Sequence, residues 1–111
     1  MSIPTVTAIY PEPIFDGTNG PQLREAIDAA IQAGAKIILV NFEKTTFIDS
    51  SGLGALVLAL KAIHATENVK LYLCSLNEQC RMIFELTRVN SIFEIFEDES
   101  AFQQAVLEGQ T

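Results

Sequence analysis

The sequence predicts a single α/β domain built on a mostly parallel β-sheet. Short β-branched runs alternate with amphipathic helical segments from residue 21 onward, and parallel neighbours require such crossovers, right-handed ones. The run Ile37-Ile38-Leu39-Val40 is aliphatic without interruption, the mark of a strand buried on both faces. The 111 residues suffice for one core and are few for two, and no repeat, low-complexity tract or linker divides them. Residues 1–111 therefore read as one domain.

Taken in order, Ile3 to Tyr10 is rich in β-branched residues, with Pro4 near its start, and reads as an edge strand. Pro11 and Pro13 interrupt it, leaving Ile14-Phe15 as a short second strand before the turn Asp16-Gly17-Thr18-Asn19-Gly20. Pro21 suits the first position of a helix capped by Asn19 or Gly20. Leu23, Ala26, Ile27, Ala30 and Ile31 give that helix its apolar stripe, and Gly34 stops it.

After the Ile37 strand comes the polar loop Glu43-Lys44-Thr45-Thr46, then Phe47-Ile48 and a long apolar helix reaching about Ala65. Leu53, Leu56, Val57, Leu60 and Ile63 share one face of it, while Ala55, Leu58 and Ala62 lie opposite with only Lys61 charged nearby. A helix apolar all round is either buried on both sides or a docking surface. Val69 to Leu73 reads as the next strand. Asn77 then caps a third helix holding Cys80, Ile83, Phe84 and Leu86. Ile92 to Phe96 reads as a last strand. Asp98 caps a final helix whose inner face holds Phe102, Ala105 and Val106.

Composition narrows the function. The chain is 49% hydrophobic and 19% charged, ordinary for a compact domain, and carries a net charge of −7. That surface repels phosphate backbones and anionic lipid, which argues against nucleic acid and membranes as partners. No window offers the ~18 consecutive apolar residues of a spanning helix. Met1-Ser2-Ile3-Pro4-Thr5 lacks the basic flank and apolar core of a signal peptide. Cys74 and Cys80 are too few and too widely spaced for a metal knuckle or a C-x-x-C redox pair. The expectation is a cytoplasmic protein with no metal and no cofactor.

The stretch with chemical character is Phe47-Ile48-Asp49-Ser50-Ser51-Gly52-Leu53-Gly54, a polar corner between a strand and a helix. Its hydroxyls sit at a helix N-terminus, where free N–H groups and the helix dipole favour an anion. A serine nucleophile is disfavoured. The Gly-x-Ser-x-Gly spacing fails, since Ile48 stands two before Ser50 and Asp49 two before Ser51. His64, the single histidine, lies fourteen residues along the same helix from Ser50, or about 21 Å at the helical rise. His64 reads instead as an ordinary helix-end residue, favoured there by the dipole.

Nucleotide loops fit no better. Gly52 and Gly54 lack the Gly-Lys-Ser/Thr ending of a phosphate loop, and Val57 stands where Gly-x-Gly-x-x-Gly needs its third glycine. Their plainer role is to let the helix start pack closely beneath the corner. Glu94, Glu97, Asp98 and Glu99 read as a solvated strand end and helix cap, and Phe93 and Phe96 as packing residues with no Lys or Arg interleaved. Two readings of the corner remain open on the residues alone. Asp49, Ser50 or Ser51 simply caps the helix, worth about 1 kcal/mol. Alternatively, a serine there gains roughly −1.5 to −2 charges on phosphorylation, which the helix dipole tolerates and a partner burying the corner does not.

The segment Ile-Asp-Ser-Ser-Gly-Leu-Gly between strand and apolar helix closely resembles the signature of stand-alone anti-sigma factor antagonists of the STAS family. The resemblance spans nearly the whole chain and includes Leu86-Thr87 at a helix end followed by Ile92 to Phe96. It implies a mixed sheet of four to five strands with about four helices packed mainly on one side. It also implies a non-enzymatic activity. The unphosphorylated protein binds an anti-sigma factor that is also a serine kinase of the histidine-kinase-like ATPase type, thereby freeing a sigma factor. Phosphorylation at the position of Ser50 blocks that binding, and a PP2C-type phosphatase restores it.

On this resemblance Ser50 is the phosphoacceptor, Ser51 the runner-up, and Asp49 the acidic neighbour that orients the corner. Partner binding is expected at Asp49, Ser51, Gly52, Leu53, Gly54, Ala55 and Leu58, with Gly52, Leu53 and Gly54 shaping the helix start and Ala55 and Leu58 lining the docking face. The chain departs from the family where a Gly-Glu-(Ile/Leu)-Asp-like segment follows the first strand. Here Pro11-Glu12-Pro13-Ile14-Phe15-Asp16 matches it only at Asp16. The competing expectation is a STAS scaffold or interaction module with no phosphorylation cycle. A small-molecule-binding STAS domain of the kind appended to anion transporters is disfavoured by the missing membrane segment.

Overall fold

A computed structural model describes residues 6–66 and 68–108. The expected beginning of the first strand at Ile3 and Pro4 lies outside the described residues; strand β1 is Val6–Ile9. The remaining strands are β2 (Ile14–Phe15), β3 (Ile37–Asn41), β4 (Phe47–Ile48), β5 (Lys70–Cys74) and β6 (Ile95–Phe96). The helices are α1 (Gly20–Gln32), α2 (Ser50–His64), α3 (Glu78–Leu86) and α4 (Glu99–Phe102), the last continuing as a π-helical turn over Gln103–Leu107. A four-stranded sheet runs in the order β1-β3-β5-β6, and β2 and β4 form a separate two-stranded sheet. Every described ladder is parallel, as the alternation of strands and helices requires.

Period-two alternation divides β3 and β5 between two cores. Ile38, Val40, Leu71 and Leu73 point into the larger one, against α1, α2 and α3. Ile37, Leu39, Tyr72 and Cys74 face the smaller one, closed by Phe102 and Val106 at the C-terminal end. Three helices thus cover one face and α4 the other, so the helices do lie mainly on one side. All five residues of β3 are buried, the aliphatic run Ile37 to Val40 as a central strand demands and the polar Asn41 at its end.

Local chemistry explains the helix ends. Pro21 occupies the first turn of α1, but Asn19 makes no side-chain cap and instead accepts from the Asp16 N–H at 2.9 Å. At the other end Gly34 takes φ +96°, and Gly34 and Ala35 donate back to the carbonyls of Ile31 and Ala30. That pair of bonds is the Schellman arrangement, which needs the left-handed conformation glycine adopts freely. Asn77 and Asp98 cap α3 and α4 by accepting from the N–H groups of Cys80 and Ala101.

Three expectations are corrected. The strand expected over Ile92 to Phe96 is only Ile95–Phe96, because Val89–Ser91 forms a 3₁₀ turn that leaves Ile92 exposed and turns Phe93 inward. Leu86 ends α3 pointing outward, 76% exposed. Ala105 lies on the exposed side of the terminal π-helical turn, so Phe102 and Val106 alone of the three residues face the core. Cys74 and Cys80 are buried thiols whose ionisation burial pushes upward, and they pack as small core residues.

The two tyrosines predict an alkaline limit. A hydrogen bond to Glu99 raises Tyr10, and burial raises Tyr72, above the ordinary phenol value. Since the folded values exceed the unfolded ones, stability is intact below pH ~10 and is lost as pH climbs through the raised values. Ultraviolet phenolate absorbance should therefore show both tyrosines titrating late in the folded chain and normally in denaturant.

Candidate functional site

The two-stranded sheet delivers the chain into α2. Its ladder sets Ile14 beside Phe47 and Phe15 beside Ile48. Alternation buries Phe15 and Ile48 and leaves Ile14 and Phe47 exposed. Asp49 follows in an extended conformation, its N–H directed at the Phe15 carbonyl at 3.4 Å. Its carboxylate accepts from the Gly52 N–H at 2.9 Å, and its carbonyl accepts the first helical bond, from Leu53, at 3.0 Å. Asp49 is therefore the N-cap, which decides between the capping candidates.

Ser50 and Ser51 occupy the first two positions of α2, and both are exposed. Among the described residues neither hydroxyl engages in a hydrogen bond. Their amides lie where a helix has no intrahelical acceptor to offer. The helix dipole and Asp49 thus act on a free hydroxyl from opposite sides: one favours added negative charge, the other opposes it.

The remaining expected site residues separate by burial. Gly52 and Leu53 are buried, so they support the corner from beneath and offer a partner no surface. A Cβ on Gly52 would come within 2.3 Å of the Phe15 carbonyl oxygen, so the close approach of α2 to β2 depends on glycine there. Gly54 differs. It is exposed with nothing within 4 Å of a built Cβ, so the expectation that it too permits close packing is corrected. Leu58 is 63% exposed and Ala55 half-buried. With Ser51 and Gly54 they form one wall of an open, mainly apolar groove whose other wall is Pro21 and Arg24 of α1. At Gly20 the two helices approach so closely that an added Cβ would come within 2.9 Å of the Ala55 methyl.

Sequence reasoning missed two parts of this region. Ile14 and Phe47, 56% and 44% exposed, form an apolar pair on the approach to Asp49. Alternation within each two-residue strand was readable, but their pairing was not. The other part comes from α3. Gln79 accepts from the Ile48 N–H at 3.1 Å and donates to the Ile48 carbonyl at 3.1 Å, and Asn77 donates to the Thr46 carbonyl at 3.0 Å. These side chains satisfy the edge of β4 that β2 does not reach, and no local signal announces them.

Comparison with known proteins identifies the family and the fold. The sequence profile of the STAS domain matches residues 3–101, and the chain belongs to the STAS domain family. A Staphylococcus aureus protein named anti-sigma-B factor antagonist is 31% identical over 77 residues, covering 69% of this chain and 70% of that protein. A Staphylococcus epidermidis protein of the same name is 29% identical over 77 residues, with the same coverage. Among solved structures, a putative anti-sigma factor antagonist from Thermotoga maritima superposes with a TM-score of 0.78 at 24% identity, covering 91% of this chain and 86% of that one. The Bacillus cell fate determinant SpoIIAA in its phosphorylated form gives 0.65 at 23% identity, covering 95% of each chain. At such identities the structural likeness establishes the fold. Among the described residues no helix is long and apolar enough to cross a membrane.

Proposed function

We propose that this chain is an anti-sigma factor antagonist that works by phosphorylation-controlled partner switching. In the unphosphorylated state it binds an anti-sigma factor that is also a serine kinase of the histidine-kinase-like ATPase type. Phosphorylation of Ser50 blocks the association, and a PP2C-type phosphatase reverses it. The activity is binding, not catalysis by this chain. The relatives named anti-sigma-B factor antagonist support the class of partner.

The observation that carries this reading is the division of labour at the corner. Capping belongs to Asp49, so the exposed Ser50 hydroxyl is free to be modified. A phosphoryl group placed there gains from the helix N-terminus by about 0.3–1 kcal/mol and leaves the core untouched. The same group would have to be desolvated beside Asp49 in any complex that covers the corner, which is costly. The fold survives and the complex does not.

The test is incubation with such a kinase and ATP, followed by mass mapping of the wild type, Ser50→Ala and Ser51→Ala. Incorporation should vanish in Ser50→Ala and persist in Ser51→Ala; the reverse pattern moves the site to Ser51. A wild type that binds the kinase but accepts no phosphate would instead be an interaction module without a switch. The docking face has its own test. Leu58→Glu should weaken kinase binding at least tenfold while changing stability by no more than about 0.5 kcal/mol, as exposed positions do. A large fall in melting temperature would show that Leu58 is structural.

A further inference from the structure

The geometry points to Gln79 as a positioning residue for the Ser50 corner, a role that rests on the phosphoacceptor reading above. Ile48 is fully buried immediately before Asp49, and its N–H and C=O both turn away from β2. The neighbouring N–H groups, of Phe47 and Asp49, go to the Pro13 and Phe15 carbonyls of the paired strand. Ile48 would therefore leave a donor and an acceptor unsatisfied in the interior if α3 offered nothing.

The Gln79 carboxamide meets both needs at once, its oxygen on the N–H and its nitrogen on the carbonyl. It stands in for a missing strand neighbour. The opposite amide orientation would set donor against donor and acceptor against acceptor, so the network fixes the assignment. Asn77 extends the grip two residues upstream, holding the Thr46 carbonyl while it caps α3 through the Cys80 N–H. Residues 46–48 are thus held between β2 and the first turn of α3. Asp49 and Ser50 leave that clamp in a direction its geometry sets.

The residue type is demanding. Methionine has the length of glutamine but neither bond. Glutamate retains an acceptor for the Ile48 N–H, and its second oxygen then faces the Ile48 carbonyl in place of a donor. Loosening the clamp need not unfold the chain, because Asp49 still caps α2 and the four-stranded sheet lies elsewhere. It should instead disorder the direction in which Ser50 is presented to a phosphoryl donor. Misplacement by an ångström costs such reactions about a hundredfold, and it acts on the chemical step rather than on docking.

The experiment compares the wild type with Gln79→Met and Gln79→Glu in the full chain. Amide hydrogen exchange should accelerate at least tenfold at Ile48 in Gln79→Met, with Leu73 in the four-stranded sheet unchanged. With a serine kinase of the proposed class and ATP, kcat for Ser50 should fall at least tenfold with KM within about threefold. Gln79→Glu should keep most Ile48 protection and recover part of the lost kcat. Unchanged exchange at Ile48 in Gln79→Met overturns the proposal, as does accelerated exchange with kinetics untouched. A wild type that takes up no phosphate on Ser50 overturns the phosphoacceptor reading, and the exchange comparison then decides by itself whether Gln79 holds the corner.

Discussion

Gly52→Ala is expected to lower stability by about 3 kcal/mol, at the upper end of overpacking costs. The added methyl would sit 2.3 Å from the Phe15 carbonyl oxygen and 2.9 Å from the carbonyl carbon. Both are backbone atoms of a strand already paired with β4, so no side chain can rotate away to make room. Relief requires α2 to withdraw from β2. That withdrawal stretches the bond between the Asp49 carboxylate and the Gly52 N–H and exposes Leu53. Thermal unfolding should show a midpoint lower by roughly 10–15 °C for a chain of this size. Gly54→Ala is the control. Its methyl meets nothing within 4 Å, and replacing a helical glycine should stabilise the chain by about 0.5–1 kcal/mol. Equal behaviour of the two variants would show that the packing beneath the corner differs from this description.

Asn41→Asp should be nearly as damaging at neutral pH. Asn41 is 2% exposed at the end of β3, donates to the Glu99 carboxylate at 3.1 Å, and accepts from the Glu43 N–H at 2.9 Å. Aspartate keeps the acceptor and loses the donor, placing a buried carboxylate against the half-buried one of Glu99. The expected loss is about 3 kcal/mol, typical of an uncompensated buried charge. Its pH dependence has a definite sign. Repulsion and burial raise the folded pKa of the new carboxyl above its unfolded value near ~3.9, so the variant recovers stability as pH falls and loses it as pH rises through the raised value. The double variant Asn41→Asp, Glu99→Gln restores a donor across the gap and should regain most of the loss. Denaturant titrations of the four proteins across pH give this coupling directly.

Both effects depend on contacts that sequence pattern does not reveal, and the legible parts of the fold show why. The apolar stripe of α1, the uninterrupted run of β3 and the caps Asn77 and Asp98 are local features, and each was readable because neighbouring residues dictate it. Strand β6 was overextended because its length is set by what β5 offers, Leu73 and Cys74 opposite Ile95 and Phe96, not by the β-branched character of its own residues. Ala105 was misplaced because a π-helical turn alters the 3.6-residue spacing on which faces are assigned. At the candidate site the exposed serines followed from the polar corner, whereas the all-apolar α2 left burial on both sides and an exposed docking face equally open until Leu58 proved exposed. The difference between Gly52 and Gly54 did not, since it lies in a carbonyl more than thirty residues upstream. Gln79 and Glu99 reach partners 31 and 58 residues away, and nothing in their own surroundings marks them.

The strand order has a consequence for synthesis on the ribosome. In β1-β3-β5-β6 each newly made strand of the main sheet joins the edge left by the previous one, and none is inserted between two already paired. The sheet can therefore grow in the direction of translation, with β1 and β3 pairing around α1 before the segment carrying Ser50 has emerged. A nascent chain stalled once β3 has cleared the ribosome should show its first sheet protection from exchange at that pair.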